Sequence, residues 1–414
     1  MTVSLLDLNR RKFLAAGAAA GLSLQAQPPR KKKVAAVITM YVEQGGFVSH
    51  AAVILGRLLA GYSPDGVFTP PRTQLVSMYT AQFPSNDLSR GLAQKYGFKI
   101  YPTIKDALTL GGDDLAVDAV CFIGEHGNYP YNEREQHLYP RYELMEPIAE
   151  VFRVTGRTAP VFSDKHFSYS WTKAKTMYGW SRELNYPLMA GSSIPLAKRT
   201  PLLEIPYDAE IENALTLGYG ELDAYGFHTL EALQCMVERR RGGETGIKSV
   251  EWLEGDAVWK WRDTAGRWSI PLLEAALSRY PSLKPGRVED NVKKPVAFLL
   301  EYLDGLRAVS YMLEGHVSAW SFAAKMRGRA EPLSTYFEQG DESGSRPFPH
   351  FDGLAHCIEE LFVTGKPLYP VERTLLTTCA LSMLFESRAW RKHIETGELQ
   401  IAYRAPRNTW FQRI

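Results

Sequence analysis

Three short stretches carry side chains that could perform acid–base or ligand-binding chemistry. Ala159-Pro160-Val161-Phe162-Ser163-Asp164-Lys165-His166 is an apolar run that ends in a carboxylate, an amine and an imidazole. A lysine held in a partly desolvated crevice can hydrogen-bond a substrate hydroxyl or exchange a proton with it. Gly124-Glu125-His126-Gly127-Asn128-Tyr129-Pro130-Tyr131-Asn132 follows a second apolar run and has donors and acceptors enough for a sugar or a metal ion. Asp223-Ala224-Tyr225-Gly226-Phe227-His228 leads into a helical pattern that His228 opens. Each has a plain structural alternative. A strand can simply end in polar residues, His126 can close its turn on backbone, and His228 can do no more than start a helix.

Chemistry requires that the fold bring these stretches together. The first half alternates apolar strands at 34–39, 75–79, 117–123, 160–165 and 187–190 with helical patterns at 49–59, 87–96, 104–110, 144–154 and 172–184. This alternation predicts an α/β Rossmann-like, doubly wound parallel sheet over 34–190. Ligands of such sheets sit at the carboxyl ends of the strands, where Glu125, His126, Asp164, Lys165 and His166 all fall. From 191 to 414 the pattern changes. Strands are expected at 211–218, 248–259, 296–302, 306–312 and 316–323, a helix from His228 to about Arg239, and closing helices at 351–362 and 374–391. Trp259, Trp261 and Trp268 flank an expected turn at 263–266, and serve core packing more readily than sugar stacking. The second part reads as an α+β domain with a mostly antiparallel, open-faced sheet.

With 414 residues, 45% apolar and 23% charged, the chain has the size and composition of a folded protein of two domains. The formal net charge of +2 gives nucleic acid no electrostatic footing. Asn9-Arg10-Arg11-Lys12-Phe13-Leu14, a short Ala/Gly/Leu run and a small residue at Ala26 resemble a twin-arginine export signal over 1–26, with a basic linker at 27–33. The run is shorter than the ~20 apolar residues a membrane span needs, so no stable span is expected, and the destination is the periplasm or the exterior. Removing 1–26 leaves equal numbers of basic and acidic residues. Cys121, Cys235, Cys357 and Cys379 form no CxxC pair and read as buried free thiols.

The helix ending Ala93-Gln94-Lys95-Tyr96-Gly97, the strand Val117-Asp118-Ala119-Val120, the Asp164-Lys165-His166 strand end and the Gly365-Lys366-Pro367 turn before a long closing helix resemble the glucose–fructose oxidoreductase / inositol dehydrogenase (Gfo/Idh/MocA) family. Asp164-Lys165-His166 stands where that family has Glu-Lys-Pro. The resemblance implies hydride transfer between NAD or NADP and a small carbohydrate or polyol. Lys165 and His228 would then handle the hydroxyl proton, with Tyr225 or Asp223 assisting, and Gly45, Gly46, Glu125 and His126 would lie at the cofactor. A homo-oligomer is compatible with it.

Three features depart from the family pattern. The interval after the first strand, Met40 to His50, has adjacent Gly45 and Gly46 in place of G-x-G-x-x-G, and the second strand runs into Thr80-Ala81-Gln82 without an acid for the ribose. Asp223 also lies five residues before His228, where the family spaces its Asp–His pair by four. The departures keep two other readings open. One is a nucleotide-independent lyase, epimerase or hydrolase with a divalent metal held by Glu125, His126, Asp164, His166 and His228. The other is a non-catalytic sugar-binding protein.

Overall fold

The computed structural model describes residues 30–44, 47–340 and 348–407. The export pattern, Gly45 and Gly46 lie outside the described residues. From Lys32 onward the chain forms one compact unit.

The first strand, β1 (Lys32–Ile38), has Val34 to Ile38 fully buried, as a strand covered on both faces must. A short hairpin, β2 (Glu43–Gln44) and β3 (Phe47–Val48), precedes α1 (His50–Ala60). The Ser49 hydroxyl caps that helix by accepting from Ala52 N–H. There follow β4 (Thr73–Thr80), α2 (Ser89–Tyr96), β5 (Lys99–Tyr101), α3 (Ile104–Thr109), β6 (Ala119–Ile123), α4 (Arg141–Thr155), β7 (Val161–Asp164), α5 (Trp171–Glu183) and β8 (Leu188–Gly191). The six main strands pair in parallel in the order β5-β4-β1-β6-β7-β8. The order reverses between β1 and β6, which opens the crevice of a doubly wound sheet. Ala35 and Val37 face a core with α3 and α4, while Val34, Ala36 and Ile38 face one with α1.

After β9 (Arg199–Thr200) come β10 (Ile211–Gly218), α6 (Ala224–Val237), β11 (Ile247–Glu254), α7 (Asp256–Asp263), α8 (Ile270–Leu277), α9 (Val288–Asn291), β12 (Val296–Tyr302), β13 (Arg307–Met312), β14 (Trp320–Met326), β15 (Leu333–Phe337), α10 (His350–Thr364), α11 (Glu372–Trp390) and β16 (Ile394–Glu395). The second sheet has the order β16-β11-β12-β13-β10-β14-β15-β9, antiparallel throughout except for β10 beside β13. One face packs on α6 and α11. The other carries α8 across β10 and β14 and is open over β11 and β12.

Three local expectations are corrected. His228 does not open its helix but lies in the second turn of α6, which starts at Ala224. Residues 256–263 are helical: Gly255 at φ +62 ends β11, and Asp256 opens α7 in the first turn, where an acid suits the helix dipole. The strand expected from His316 begins at Trp320, because Gly315 and the Glu314–Val317 bridge hold the preceding residues in a turn. The 190/191 division is crossed by packing. α10 lies on α1 and the first sheet, and α11 contacts α5 and β8 as well as α6 and β11. All four cysteines are buried and free, and among the described residues no helix is long and apolar enough to cross a membrane.

Candidate active site

A cavity of about 300 Å³ opens at the carboxyl-end rim of the first sheet, against the start of α6, the start of β14 and the start of α10. Six of the nine histidines line it: His50, His126, His137, His166, His228 and His350. Glu125, Lys165, Asp223 and Tyr225 line it too, so the catalytic residues expected from sequence share one space.

Its floor is an ion cluster. Lys165 Nζ lies 3.2 Å from Glu125 Oε1, and Arg141 pairs with Glu125 Oε2, all three side chains being buried. Burial pushes the Glu125 carboxyl up, but Lys165 and Arg141 together hold it well below the usual carboxylate range. Arg141, the first residue of α4, also donates to His166 Nε2 at 3.1 Å. Burial and the Arg141 charge hold His166 well below its ordinary value, so its ring is neutral, and its buried Nδ1 has no hydrogen-bond partner among the described residues. Lys165 itself has φ +61, an αL conformation that costs a non-glycine residue roughly 1 kcal/mol. Its N–H donates to the Gly191 carbonyl at the end of β8, which fixes the lysine at the rim.

His228 enters from α6, one helical turn beyond the Ala224 start. Its Nδ1 is 2.5 Å from the Ser192 hydroxyl, which also accepts from Ile194 N–H. Burial first, then Lys165 and His50, keep this imidazole neutral. Ser192 is positioned in turn by Glu231, a fully buried carboxyl on the next turn of α6, held also by Thr374 and Thr377. Asp223 does not pair with His228. Its Oδ2 accepts from His137 N–H, its buried Oδ1 lies 3.9 Å from His166 Nε2 and has no hydrogen-bond partner among the described residues, and burial raises its carboxyl to about 6. Tyr225 stacks on Trp320 at 5.5 Å and stands edge-on to Tyr219, which makes an aromatic wall.

The metal set is not gathered. Among the described residues no group of three or more His, Cys, Asp or Glu is placed to hold an ion. The reason is local: Glu125 is taken by two cations, Asp164 by His50 and His166 Nε2 by Arg141. His50, Arg141, Ser192 and Glu231 went unnoticed in the sequence. For His50 a signal existed, since an imidazole directly follows the α1 cap in the interval that a glycine loop would occupy.

The same interval decides how a dinucleotide would be held. At the start of α1, Ser49 N–H donates to Val42 O, His50 N–H to His126 Nδ1 and Ala52 N–H to Ser49 Oγ. Among the described residues, that leaves Ala51 N–H as the donor of this first turn given to no protein acceptor. Gln82, beyond β4, exchanges hydrogen bonds with the Asn128 backbone. The cavity beside Lys165 and His228, walled by unpartnered polar atoms, fits the nicotinamide and substrate end. At the phosphate end, the donor that the described residues offer is Ala51 N–H.

No family model matches this sequence, and no curated protein matches it. Solved structures do. GenD2 of gentamicin A biosynthesis, in complex with NAD, is 13% identical with a TM-score of 0.54, covering 91% of this chain and 99% of its own. Apo scyllo-inositol dehydrogenase from Lactobacillus casei is 11% identical with a TM-score of 0.53, covering 89% and 99%. An NAD-binding oxidoreductase from Klebsiella pneumoniae is 13% identical with a TM-score of 0.54, covering 88% and 98%. At these identities the likeness is one of fold alone.

Proposed function

We propose that this chain is an oxidoreductase-like enzyme that oxidises a sugar or polyol derivative with NAD or NADP. The observation that carries the reading is the meeting of Lys165 and His228 in one cavity at the carboxyl rim of a six-stranded parallel sheet. The likeness of fold to NAD-binding oxidoreductases and an inositol dehydrogenase, over nearly their whole length, supports it. Lys165, held 3.2 Å from Glu125, donates to the substrate oxygen and stabilises charge that develops there. His228, neutral and fixed by Ser192, orients the same hydroxyl. Asp223 Oδ1 and His166 Nδ1, buried and without a hydrogen-bond partner among the described residues, can take further hydroxyls, and the Tyr225–Trp320 wall suits the C–H face of a ring. A bound nicotinamide supplies the hydride acceptor.

The deciding measurement is the nucleotide content of the purified protein, with NAD(P)+-dependent oxidation of myo-inositol and a panel of hexoses. Bound or titratable nicotinamide nucleotide and reduction of NAD(P)+ are expected. A protein that neither carries nor binds the nucleotide overturns the reading.

One observation favours a second reading. The N–H groups at the start of α1 are largely engaged by the chain itself, which suits acid–base chemistry on a carbohydrate without a nucleotide, or sugar binding alone. Export through the twin-arginine route belongs to the proposal and rests on Arg10 and Arg11. Replacing both by lysine should retain the protein in the cytoplasm. Self-association is measured by sedimentation.

A further inference from the structure

The aspartate–histidine pair sought at Asp223 and His228 is absent, yet the cavity contains one built from two distant elements. His50, the first residue of α1, places Nδ1 2.7 Å from Oδ2 of Asp164, the last residue of β7. Asp164 is buried, whereas the His50 side chain keeps 14% exposure at the cavity. The His50 ring lies 6.5 Å from that of His228 with 28° between their planes, and Phe351 and His126 meet it edge-on at 5.2 Å. Its plane is therefore fixed by packing as well as by the carboxylate.

An imidazole that accepts a proton becomes a cation, which is costly in a buried site unless an anion touches it. His228 has a hydroxyl on Nδ1 and cations nearby, so it resists protonation. His50 has a carboxylate in direct contact and a path to solvent. The groups facing His50 are Asp164 on β7, Glu125 and His126 after β6, His228 on α6 and His350 on α10. Burial and neighbouring charge oppose protonation of each of these other imidazoles, His126 and His350 being lowered to about 3.

We propose that His50, oriented by Asp164, is the proton acceptor of this site. Asp164 accepts the Nδ1–H bond, which leaves the Nε2 lone pair for a ligand in the cavity. As the ligand's O–H bond breaks, its proton bonds to Nε2, Asp164 stabilises the imidazolium, and the proton passes to solvent. A bound oxidised nicotinamide would accept the C–H electron pair as hydride, so that each carbinol would yield one carbonyl, one hydride and one proton. The hydride step rests on the function proposed above; the His50–Asp164 dyad does not.

Two measurements on the full chain test it. In the first, diethyl pyrocarbonate modification of His50 is followed by mass spectrometry against pH, with no substrate present. His50 should react in the wild type, and in Asp164→Asn its rate–pH curve should move to lower pH, because the carboxylate that touches Nδ1 is gone. An unmoved curve overturns the dyad. In the second, NAD+-linked oxidation of myo-inositol is measured across pH. His50→Gln should lower kcat by about 10²–10⁴ with the acid limb of the profile removed, whereas His228→Gln should lose rate and keep that limb. A His50→Gln enzyme that retains the limb overturns the assignment. If wild-type protein oxidises no polyol, the functional reading fails, and the modification curve alone decides the dyad.

Discussion

The backbone N–H of Lys165 donates to the carbonyl of Gly191 at 3.1 Å, tying the end of β7 to the end of β8. This bond holds a lysine with φ +61 at the lip of the cavity. Gly191 can make it because it has φ +128 and no side chain. A Cβ there would lie 2.5 Å from Thr374 Oγ1 and 2.8 Å from Glu231 Oε2.

Gly191→Ala should therefore damage both fold and site. Strain and the clash with two buried polar groups should cost roughly 1–3 kcal/mol, read as a lower urea midpoint. Because Glu231 also positions Ser192, and Ser192 holds His228, turnover should fall even at temperatures where the variant is folded.

Lys165→Ala should separate chemistry from folding. Arg141 still neutralises Glu125 in the variant, so the thermal midpoint should change little while turnover drops by about 10²–10⁴. A variant that keeps full turnover removes Lys165 from the mechanism.

Asp223 predicts a pH-dependent stability. Burial raises its carboxyl from 3.8 to about 6, so the folded chain binds this proton more tightly than the unfolded chain does. Stability should fall as pH rises through the interval between those values and level off above it. Asp223→Asn keeps an acceptor for His137 N–H and removes the charge. It should be more stable than wild type at pH 7.5, by up to about 3 kcal/mol, with the gain vanishing near pH 4 in urea titrations.

Behind the cavity, Arg373 on α11 forms a two-pronged pair with Glu238 just past α6, at 2.8 and 2.6 Å, both side chains buried. Arg373→Met strands the carboxylate and should cost about 3–5 kcal/mol. The double variant Arg373→Met/Glu238→Met should recover much of that loss, which a double-mutant cycle would register.

Local pattern reveals some of this architecture and hides the rest for a physical reason. Alternating apolar runs expose both sheets, and the polar ends of β6 and β7 announce Glu125, His126 and Lys165. These are signals within one element. His50 and Asp164 are 114 positions apart, and no spacing rule joins the head of one helix to the tail of a strand two places away in the sheet. Arg141 opens a helix, where an arginine ordinarily reaches solvent, yet it is buried between Glu125 and His166. Ser192 and Glu231 act through other residues, so their types alone say nothing of a role. The family resemblance suggests a pair at Asp223 and His228 even though their spacing is one residue too long, but the pairing partners are chosen by tertiary contact.

The return of α10 to the first sheet bears on biosynthesis. Phe351, Leu354, Ile358, Leu361 and Phe362 fill the same core as Val34, Ala36 and Ile38 and the apolar side of α1. Until the ribosome has delivered residue 364, the amino-terminal half lacks the wall that closes one of its faces, so it cannot mature as a separate unit during translation. Chaperone dependence should be greatest for nascent chains stalled before that point. Any route out of the cell that demands a finished tertiary structure must wait for almost the entire polypeptide.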